Sequence, residues 1–166
     1  MKCAIVYSSR TGNTKLLAES IRKEIPDESC IYYGEPCRQA LQADRIYVGF
    51  WTDKGSCSEE TAEFLKTVTN QEIYLFGTAG FGDSPDYFKK VIERTLKNLG
   101  PDARLIGSFM CQGKMPLSVR RRYEKMMKSP VKIPNLQGMI ENFDKALSHP
   151  DQKDIDDLCL SVRSLK

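Results

Sequence analysis

Short apolar runs alternate along the chain with longer stretches in which apolar residues recur about every 3.6 positions. The run CAIVYS (residues 3–8) is apolar and β-branched, as a strand buried on both faces should be. The stretch TKLLAESIRKEI (14–25) has helical spacing and is closed by Pro26. The same pattern predicts further strands at SCIYYG (29–34), DRIYVGF (44–50), EIYLFG (72–77) and RLIGSFMC (104–111).

Helical stretches separate these strands. They are EPCRQALQ (35–42), SEETAEFLKTV (58–68), SPDYFKKVIERTLKNLG (84–100) and HPDQKDIDDLCLSVRSL (149–165). Ser84 as N-cap, Pro85 at the first position and Gly100 at the end are typical of a helix. Strand–helix alternation repeated five times predicts a parallel sheet with helices on both faces. Residues 116–150 break the alternation, because PLSVRRRYEKMMKS and NLQGMIENFDKALS predict two added helices before the last one.

Length and composition are those of one globular domain. The chain has 166 residues, of which 40% are hydrophobic and 28% are charged. We therefore expect a single domain over residues 1–166, with residues 116–150 as a basic helical insertion. No run approaches the roughly 18 apolar residues of a membrane span. The N-terminal run MKCAIVYSS lacks a cleavage-like site, which favours a first strand over a signal peptide.

Six cysteines and a single histidine, His149, argue against the common metal centres. No cysteine pair has the C-x-x-C spacing, so the sequence predicts neither a zinc nor an iron–sulfur site. An even cysteine count allows disulfides. Without a signal peptide, however, free thiols in a reducing cytosol are the better prediction, and we expect a cytoplasmic protein.

The seven residues SSRTGNT (8–14, the first loop) lie between the first strand and the first helix. A plain turn needs one or two such residues, whereas four of these seven bear hydroxyl groups. A helix N-terminus offers unpaired N–H groups and a positive dipole end, which suits a phosphate, and Gly12 lets the backbone approach closely. The spacing is that of neither a Walker loop nor G-x-G-x-x-G. The alternative is a long N-cap with spare polar residues.

Two other strand-exit loops are unusual. GFWTDKGSCS (49–58, the second loop) places the only tryptophan, Trp51, among polar residues. At this position the indole could stack on a flat ring of a ligand. The alternative is a half-buried side chain that covers the end of the sheet. FGTAGFGDSP (76–85, the third loop) has three glycines around Phe81, which suits backbone contacts to a planar heterocycle or a flexible turn. Ligands of such sheets bind beyond the carboxyl ends of the strands, where the strand order reverses, so the three loops predict one site.

The stretch IVYSSRTGNTKLLAESI resembles the signature of the flavodoxin family, a strand followed by T/S-x-T-G-x-T and a helix. The resemblance covers about residues 1–112 and the last helix. It implies a flavodoxin-like α/β three-layer sandwich with a five-stranded parallel sheet of order 2-1-3-4-5, and FMN as the cofactor. The whole chain, including YVGFWTDKG and GSFMCQGKM, is also similar to clostridial flavodoxin-like proteins associated with bilirubin reduction.

The resemblance also implies the cofactor-binding residues. The first loop would hold the FMN phosphate, with the Arg10 side chain turned to solvent. Trp51 would stack on the isoalloxazine ring, and Phe81 is the first choice for the second ring face because Tyr87 falls inside a helix. Lys54 would tune the reduction potential if it lies near the ring, but we expect it to point outward. The implied set is Ser9, Arg10, Thr11, Gly12, Asn13, Thr14, Trp51, Thr52, Asp53, Lys54, Gly55, Thr78, Ala79, Gly80, Phe81 and Gly82.

No residue set indicates substrate chemistry. Cys57 and Cys111 lack an accompanying histidine, and His149, next to Pro150, suits the start of a helix. The short third loop favours an electron carrier that shuttles electrons between redox partners. An FMN-dependent NAD(P)H:quinone-type reductase is the alternative, so the question of enzyme or carrier stays open, and a third option is a regulatory domain without cofactor.

Charge is distributed unevenly along the chain. Residues Lys114 to Lys132 (the basic segment) carry seven basic side chains against Glu124, hence +6, which leaves −3 for the rest of a chain of net charge +3. An apolar stripe on one face of the helix in this segment is expected to pack on the fold. Its members are Val119, Tyr123, Met126 and Met127.

The basic side chains of this segment predict a partner with an acidic face. Complementary charge raises encounter rates while keeping a complex short-lived, which suits a redox partner protein, and the clostridial resemblance implies a bilirubin reductase. The segment has no known nucleic-acid motif, and its apolar residues are small for a membrane surface. We therefore expect neither nucleic acid nor membrane as a partner.

Overall fold

A five-stranded parallel sheet forms the centre of the computed structural model, which describes residues 1–165. Lys166, the last residue of the predicted domain, lies outside the described residues. The strands are β1 (Cys3–Tyr7), β2 (Cys30–Gly34), β3 (Arg45–Asp53), β4 (Ser56–Cys57), β5 (Glu72–Ala79) and β6 (Arg104–Gln112). The parallel strands lie in the order β2-β1-β3-β5-β6, and β4 pairs antiparallel with the end of β3. The α/β class and the order 2-1-3-4-5 of the parallel strands are confirmed, whereas β4 was not predicted.

Four helices cover the two faces of the sheet: α1 (Asn13–Glu24), α2 (Glu59–Thr67), α3 (Pro85–Leu96) and α6 (Gln152–Arg163). Apolar residues of α1 and α6 are buried with Ile5 of β1 on one face. Apolar residues of α2 and α3 are buried with the next residue, Val6, on the other face. Successive strand residues point to opposite faces, so both sides of the sheet are apolar and helix-covered, as its continuous hydrophobic runs require.

Two further helices lie between β6 and α6: α4 (Leu117–Met127) and α5 (Leu136–Ala146). They pack on each other through a small core of their own, made of Tyr123, Leu136 and Ile140 with Val119, Met126 and Met139 around it. Met127 is 52% exposed, so its predicted place in the packed stripe is wrong. The reason is its position around the helix, next to Met126 but turned away from α5.

Several element ends differ from the sequence-based prediction. Ser84 Oγ accepts from the Tyr87 N–H at 3.2 Å, which confirms the predicted N-cap of α3. The helix nevertheless stops at Leu96, because the next three N–H groups bond to carbonyls three residues back. Gly100 instead packs against the backbone at the C-terminal end of α2, where a Cβ would lie 1.8 Å from the Val68 carbonyl oxygen. The stretch 35–42 forms a 3₁₀ helix over Arg38–Gln42 only.

Among the described residues, no helix combines the length and the apolar character needed to cross a membrane.

Candidate functional site

The three predicted loops begin side by side at the carboxyl edge of the sheet. Trp51 of β3 pairs with Thr78 of β5, and the Ser8 N–H, at the exit of β1, donates to the Gly49 carbonyl at 3.0 Å. The hydroxyl oxygens of Thr14 and Thr78 lie 3.3 Å apart in a buried contact. The structure therefore brings the roots of the three loops together, at the point where the strand order reverses.

The first loop leaves the N-terminus of α1 open. Gly12 is the N-cap residue, at φ 88°, and it has no side chain with which to cap the helix. A Cβ added at Gly12 would meet no atom within 4 Å, so the space in front of the helix is free. The Lys15 N–H donates to Ser9 Oγ at 3.2 Å. The positive end of the helix dipole and the first-turn N–H groups other than that of Lys15 fit an anionic group such as a phosphate.

The Asn13 side chain stabilises the conformation of the first loop through two hydrogen bonds. This side chain is buried, and its Nδ2 donates to Thr11 Oγ1 at 3.0 Å and to the Lys114 carbonyl at 2.9 Å. Because the Thr11 hydroxyl oxygen accepts from Asn13, its own hydrogen is left to donate elsewhere. Thr11 is exposed, whereas Thr14 is buried against Thr78. Thr11 is thus the hydroxyl of this loop that is best placed to reach a ligand.

Trp51 lies at the end of β3, and the expectation that it sits in a loop is wrong. β3 extends three residues beyond Phe50, because Trp51 pairs with β5 and the next two residues, Thr52 and Asp53, pair with β4. The Arg10 side chain is exposed but does not simply extend into solvent. Its guanidinium carbon lies 5.4 Å from the centroid of the Trp51 ring, within the range of a cation–π contact.

Trp51 and Arg10 line the larger cleft at this edge, a cavity of about 780 Å³. Its walls include Ser9 from the first loop and Phe64 from α2. Cys37, from the loop after β2, also lines it. Cofactor and ligand sites commonly have volumes of about 300–1,000 Å³, so the cleft is large enough for a ring system. The stretch after β2 was predicted as a helix and was not predicted to contribute to the site.

The residues after Trp51 form the tip of a β-hairpin. Thr52 pairs with Cys57 and Asp53 with Ser56, which leaves Lys54 and Gly55 as a two-residue turn. Both have positive φ, 48° and 81°, the combination of a type I′ turn. Lys54 is exposed at this tip. The turn was missed because lysine rarely adopts positive φ, which left Gly55 as the only signal.

The third loop is buried at its start and exposed at its tip. Thr78 and Ala79 are buried, while Phe81 is 59% exposed. A Cβ added at Gly82 would lie 2.7 Å from the ring of Tyr87, so that half-buried ring packs on the loop. Neither Phe81 nor Tyr87 lines the 780 Å³ cleft. The proposed contact of Phe81 with the second ring face therefore stays a prediction.

A smaller cavity, of about 420 Å³, lies on the other side of the first loop and is lined in part by Gly12, Lys114 and His149. His149 Nδ1 lies 2.6 Å from Asp154 Oδ2. Asp154 and Asp151 form the capping box of α6. The His149–Asp151–Asp154 group is thereby accounted for as a helix start, the role expected for His149.

Thiol chemistry receives little support from the two cysteines singled out in the sequence. Burial raises the pKa of the Cys57 thiol and, more strongly, that of Cys111, so both stay protonated at neutral pH. The pKa of the half-buried Cys37 thiol is lowered, chiefly by a hydrogen bond with Tyr32. All six cysteines are free thiols.

Comparison with known proteins agrees with this architecture. The family model described as a flavodoxin domain matches residues 4–162. The chain belongs to the flavodoxin family. Membership confirms FMN, the cofactor of this family, as the predicted cofactor.

Two relatives are similar over nearly their whole length. Both are named flavodoxin-like domain-containing protein BilS. The one from Clostridium symbiosum (strain WAL-14163) is 37% identical, covering 93% of this chain and 90% of the relative. The one from Clostridioides difficile (strain CD3) is 31% identical, covering 99% and 96%.

Solved structures show the same fold at low identity. Oxidised flavodoxin 2 from Bacillus cereus superimposes with a TM-score of 0.57 at 15% identity, covering 99% of this chain and 97% of that one. A flavoprotein from Lactobacillus acidophilus NCFM, solved in complex with FMN, gives a TM-score of 0.50 at 17% identity, covering 66% and 93%.

Proposed function

We propose that this flavodoxin-family chain is an electron carrier, which binds FMN through the first loop and Trp51 and passes electrons between redox partners. The observation that carries the proposal is the open N-terminus of α1, with the exposed Thr11 hydroxyl in front of it and the Trp51 cleft beside it. The L. acidophilus flavoprotein of the same fold was solved with FMN, which supports this assignment.

The residues divide by the part of FMN that they would hold. The first loop would take the phosphate through backbone N–H groups, Ser9 and Thr11, without a lysine. Trp51 would face the ring, and the third loop would lie at the pyrimidine edge. Bound FMN supplies one- or two-electron redox chemistry. The chain would bind and orient it, and Trp51 with Phe64 would exclude water from one side.

The lack of a histidine in the cleft favours a carrier over a quinone-type reductase. Within the described residues, the 780 Å³ cleft has no histidine among its lining residues, and its Cys37 lacks the neighbouring base that nucleophilic catalysis uses. Stopped-flow mixing of the loaded protein with NADPH separates the two functions. A carrier is reduced slowly without a partner, whereas fast direct reduction would identify a reductase.

The docking surface that we propose for the partner is one stripe of α4. Arg121, Lys125 and Lys128 recur at i, i+4 and i+7, so they share a helix face. All three are exposed, and none forms an ion pair with another described residue. Arg120 is different, because it pairs with Asp144 at 2.8 Å and also with Glu124. Arg120 therefore holds α4 to α5, whereas the three residues of the stripe are left free to meet an acidic partner.

A bilirubin reductase is our candidate for this partner, on the strength of the clostridial resemblance and of relatives that carry the same BilS name. Six free thiols support a reducing compartment, the cytoplasm, as the place of action. The proposal involves neither nucleic acid nor membrane.

The direct test is purification of the full chain followed by an absorbance spectrum and mass analysis of any released flavin. A flavin spectrum with FMN released in a 1:1 ratio supports the proposal. A colourless protein that takes up no FMN on addition would refute it.

A further inference from the structure

Helix α5 reaches from the insertion to the third loop and contacts its backbone. Asn142 Nδ2 donates to the Gly80 carbonyl at 2.8 Å, and Asn142 Oδ1 accepts from Gln112 Nε2 at 2.9 Å. The same Gln112 nitrogen lies 3.5 Å from the Gly80 carbonyl oxygen. Gln112 is only 3% exposed. Two side-chain amides, one from the sheet and one from the insertion, thus converge on a single loop carbonyl.

Two further contacts restrain the third loop. Lys145, about one turn along α5, forms an ion pair with Asp83, and the hydrogen bond from Lys145 lowers the pKa of the Asp83 carboxyl. Met115 fills the space beside Gly80, where a Cβ would lie 2.4 Å from its Cγ. The loop is therefore held at Gly80 and at Asp83, on either side of the exposed Phe81.

The helix that makes these contacts is itself anchored. Ile140 and Leu136 of α5 are buried against Tyr123 of α4, and Phe143 is fully buried. Arg120 joins the two helices through Asp144. Because α5 is packed along its length, Asn142 presents its amide from a rigid element and not from a loop.

We propose that Asn142 is a positioning residue of the cofactor site, fixing the Gly80 carbonyl and with it the N–H groups of the third loop that follow. This inference rests on the proposed use of the third loop at the flavin edge. It gives the insertion a second role besides docking, since the same pair of helices carries the basic stripe on α4 and the contact to the third loop on α5.

The test compares Asn142→Leu and Asn142→Asp with a matched control, Gln137→Leu. Asn142→Asp is isosteric and keeps the acceptor for Gln112, but it loses the N–H donor to Gly80. Gln137 lies on the exposed side of the same helix and bonds only within it, to Glu141 at 3.1 Å. The measurements are FMN affinity, the midpoint potential of bound FMN, and hydrogen exchange of the Gly80, Phe81 and Gly82 amides without FMN.

Loss of one neutral hydrogen bond corresponds to about three- to tenfold weaker FMN binding. We expect this loss in both Asn142 variants, with a shifted potential and faster third-loop exchange, and no change in Gln137→Leu. Wild-type affinity, potential and exchange in the isosteric Asn142→Asp variant would overturn the inference. If the wild-type chain binds no FMN, the proposed function fails, while the exchange measurement still decides whether Asn142 holds the loop.

Discussion

The guanidinium of Arg10 lies over the ring of Trp51, with its central carbon 5.4 Å from the ring centroid. Trp51 is the only tryptophan of the chain, so its emission reports this one place. If FMN binds beside it, energy transfer and electron transfer to the flavin quench the indole. We expect removal of FMN to raise tryptophan fluorescence several-fold, measured on loaded and stripped protein. Equal emission from both forms would show that Trp51 is not at the flavin, and Trp51→Phe gives the background.

Arg10 also provides a positive charge at the ring site. A cation stabilises the negative charge that reduction adds, so Arg10→Gln is expected to lower the midpoint potential of bound FMN. An exposed charge pair is worth up to about 1 kcal/mol, which corresponds to a shift of up to about 40 mV in a one-electron potential. The control is Lys54→Gln, at the exposed hairpin tip, which is expected to leave the potential unchanged. A larger shift for Lys54→Gln than for Arg10→Gln would assign the tuning charge to the hairpin.

The docking prediction concerns the stripe on α4. A triple charge reversal to Glu at Arg121, Lys125 and Lys128 is expected to slow electron transfer to a partner with an acidic face. The effect should act chiefly on the association rate. The effect should fade as salt rises, because the Debye length is about 10 Å at 0.1 M. Charge reversal at Lys23, Lys89 and Lys97, all exposed and outside the stripe, is the matched control. An unchanged rate for the stripe variant at low salt would exclude this surface.

A pH-dependent contribution to stability comes from the opposite end of the sheet. Glu72 accepts from Arg45 at 2.7 and 2.9 Å and also pairs with Arg104. The hydrogen bonds from Arg45 hold the pKa of the Glu72 carboxyl below its usual range, with the charge of Arg104 adding to the shift. Since the folded pKa lies below the unfolded one, this stabilisation is complete above the unfolded pKa and is lost as pH falls through the folded value.

The matching variant is Glu72→Gln. At pH 7 it should lower the free energy of unfolding by about 1.5–3 kcal/mol, the usual worth of hydrogen bonds to a charged group. The difference from wild type should shrink as the pH falls below about 4. Urea unfolding at several pH values measures it, with the exposed Glu28→Gln as control. A constant difference across this range would show that the Glu72 charge is not responsible.

The sequence predicts an element best where the local residue preferences and the tertiary fold favour the same structure. Ser84 and Pro85 are found at the start of α3, and the alternation of apolar runs predicts the parallel sheet, whereas the order of its strands was implied by the family resemblance. The Lys54–Gly55 hairpin was missed, because strand pairing and not propensity puts Lys54 at positive φ. The contact of Asn142 with Gly80 joins residues 62 positions apart in the sequence. Hydrophobic periodicity relates only residues that are near each other in the chain, so it could not predict this contact. The position of Arg10 over Trp51 depends likewise on two strand ends meeting.

The central claim, that the first loop binds FMN by its phosphate, is tested most directly by titrating the flavin-free protein with FMN and with riboflavin, which lacks the phosphate. Two charged hydrogen bonds, at about 1.5–3 kcal/mol each, predict that FMN binds at least about 100-fold more tightly, with one site per chain. Thr11→Ala should weaken FMN binding and leave riboflavin binding unchanged. Equal affinity for the two flavins, or no binding of either, would contradict the account.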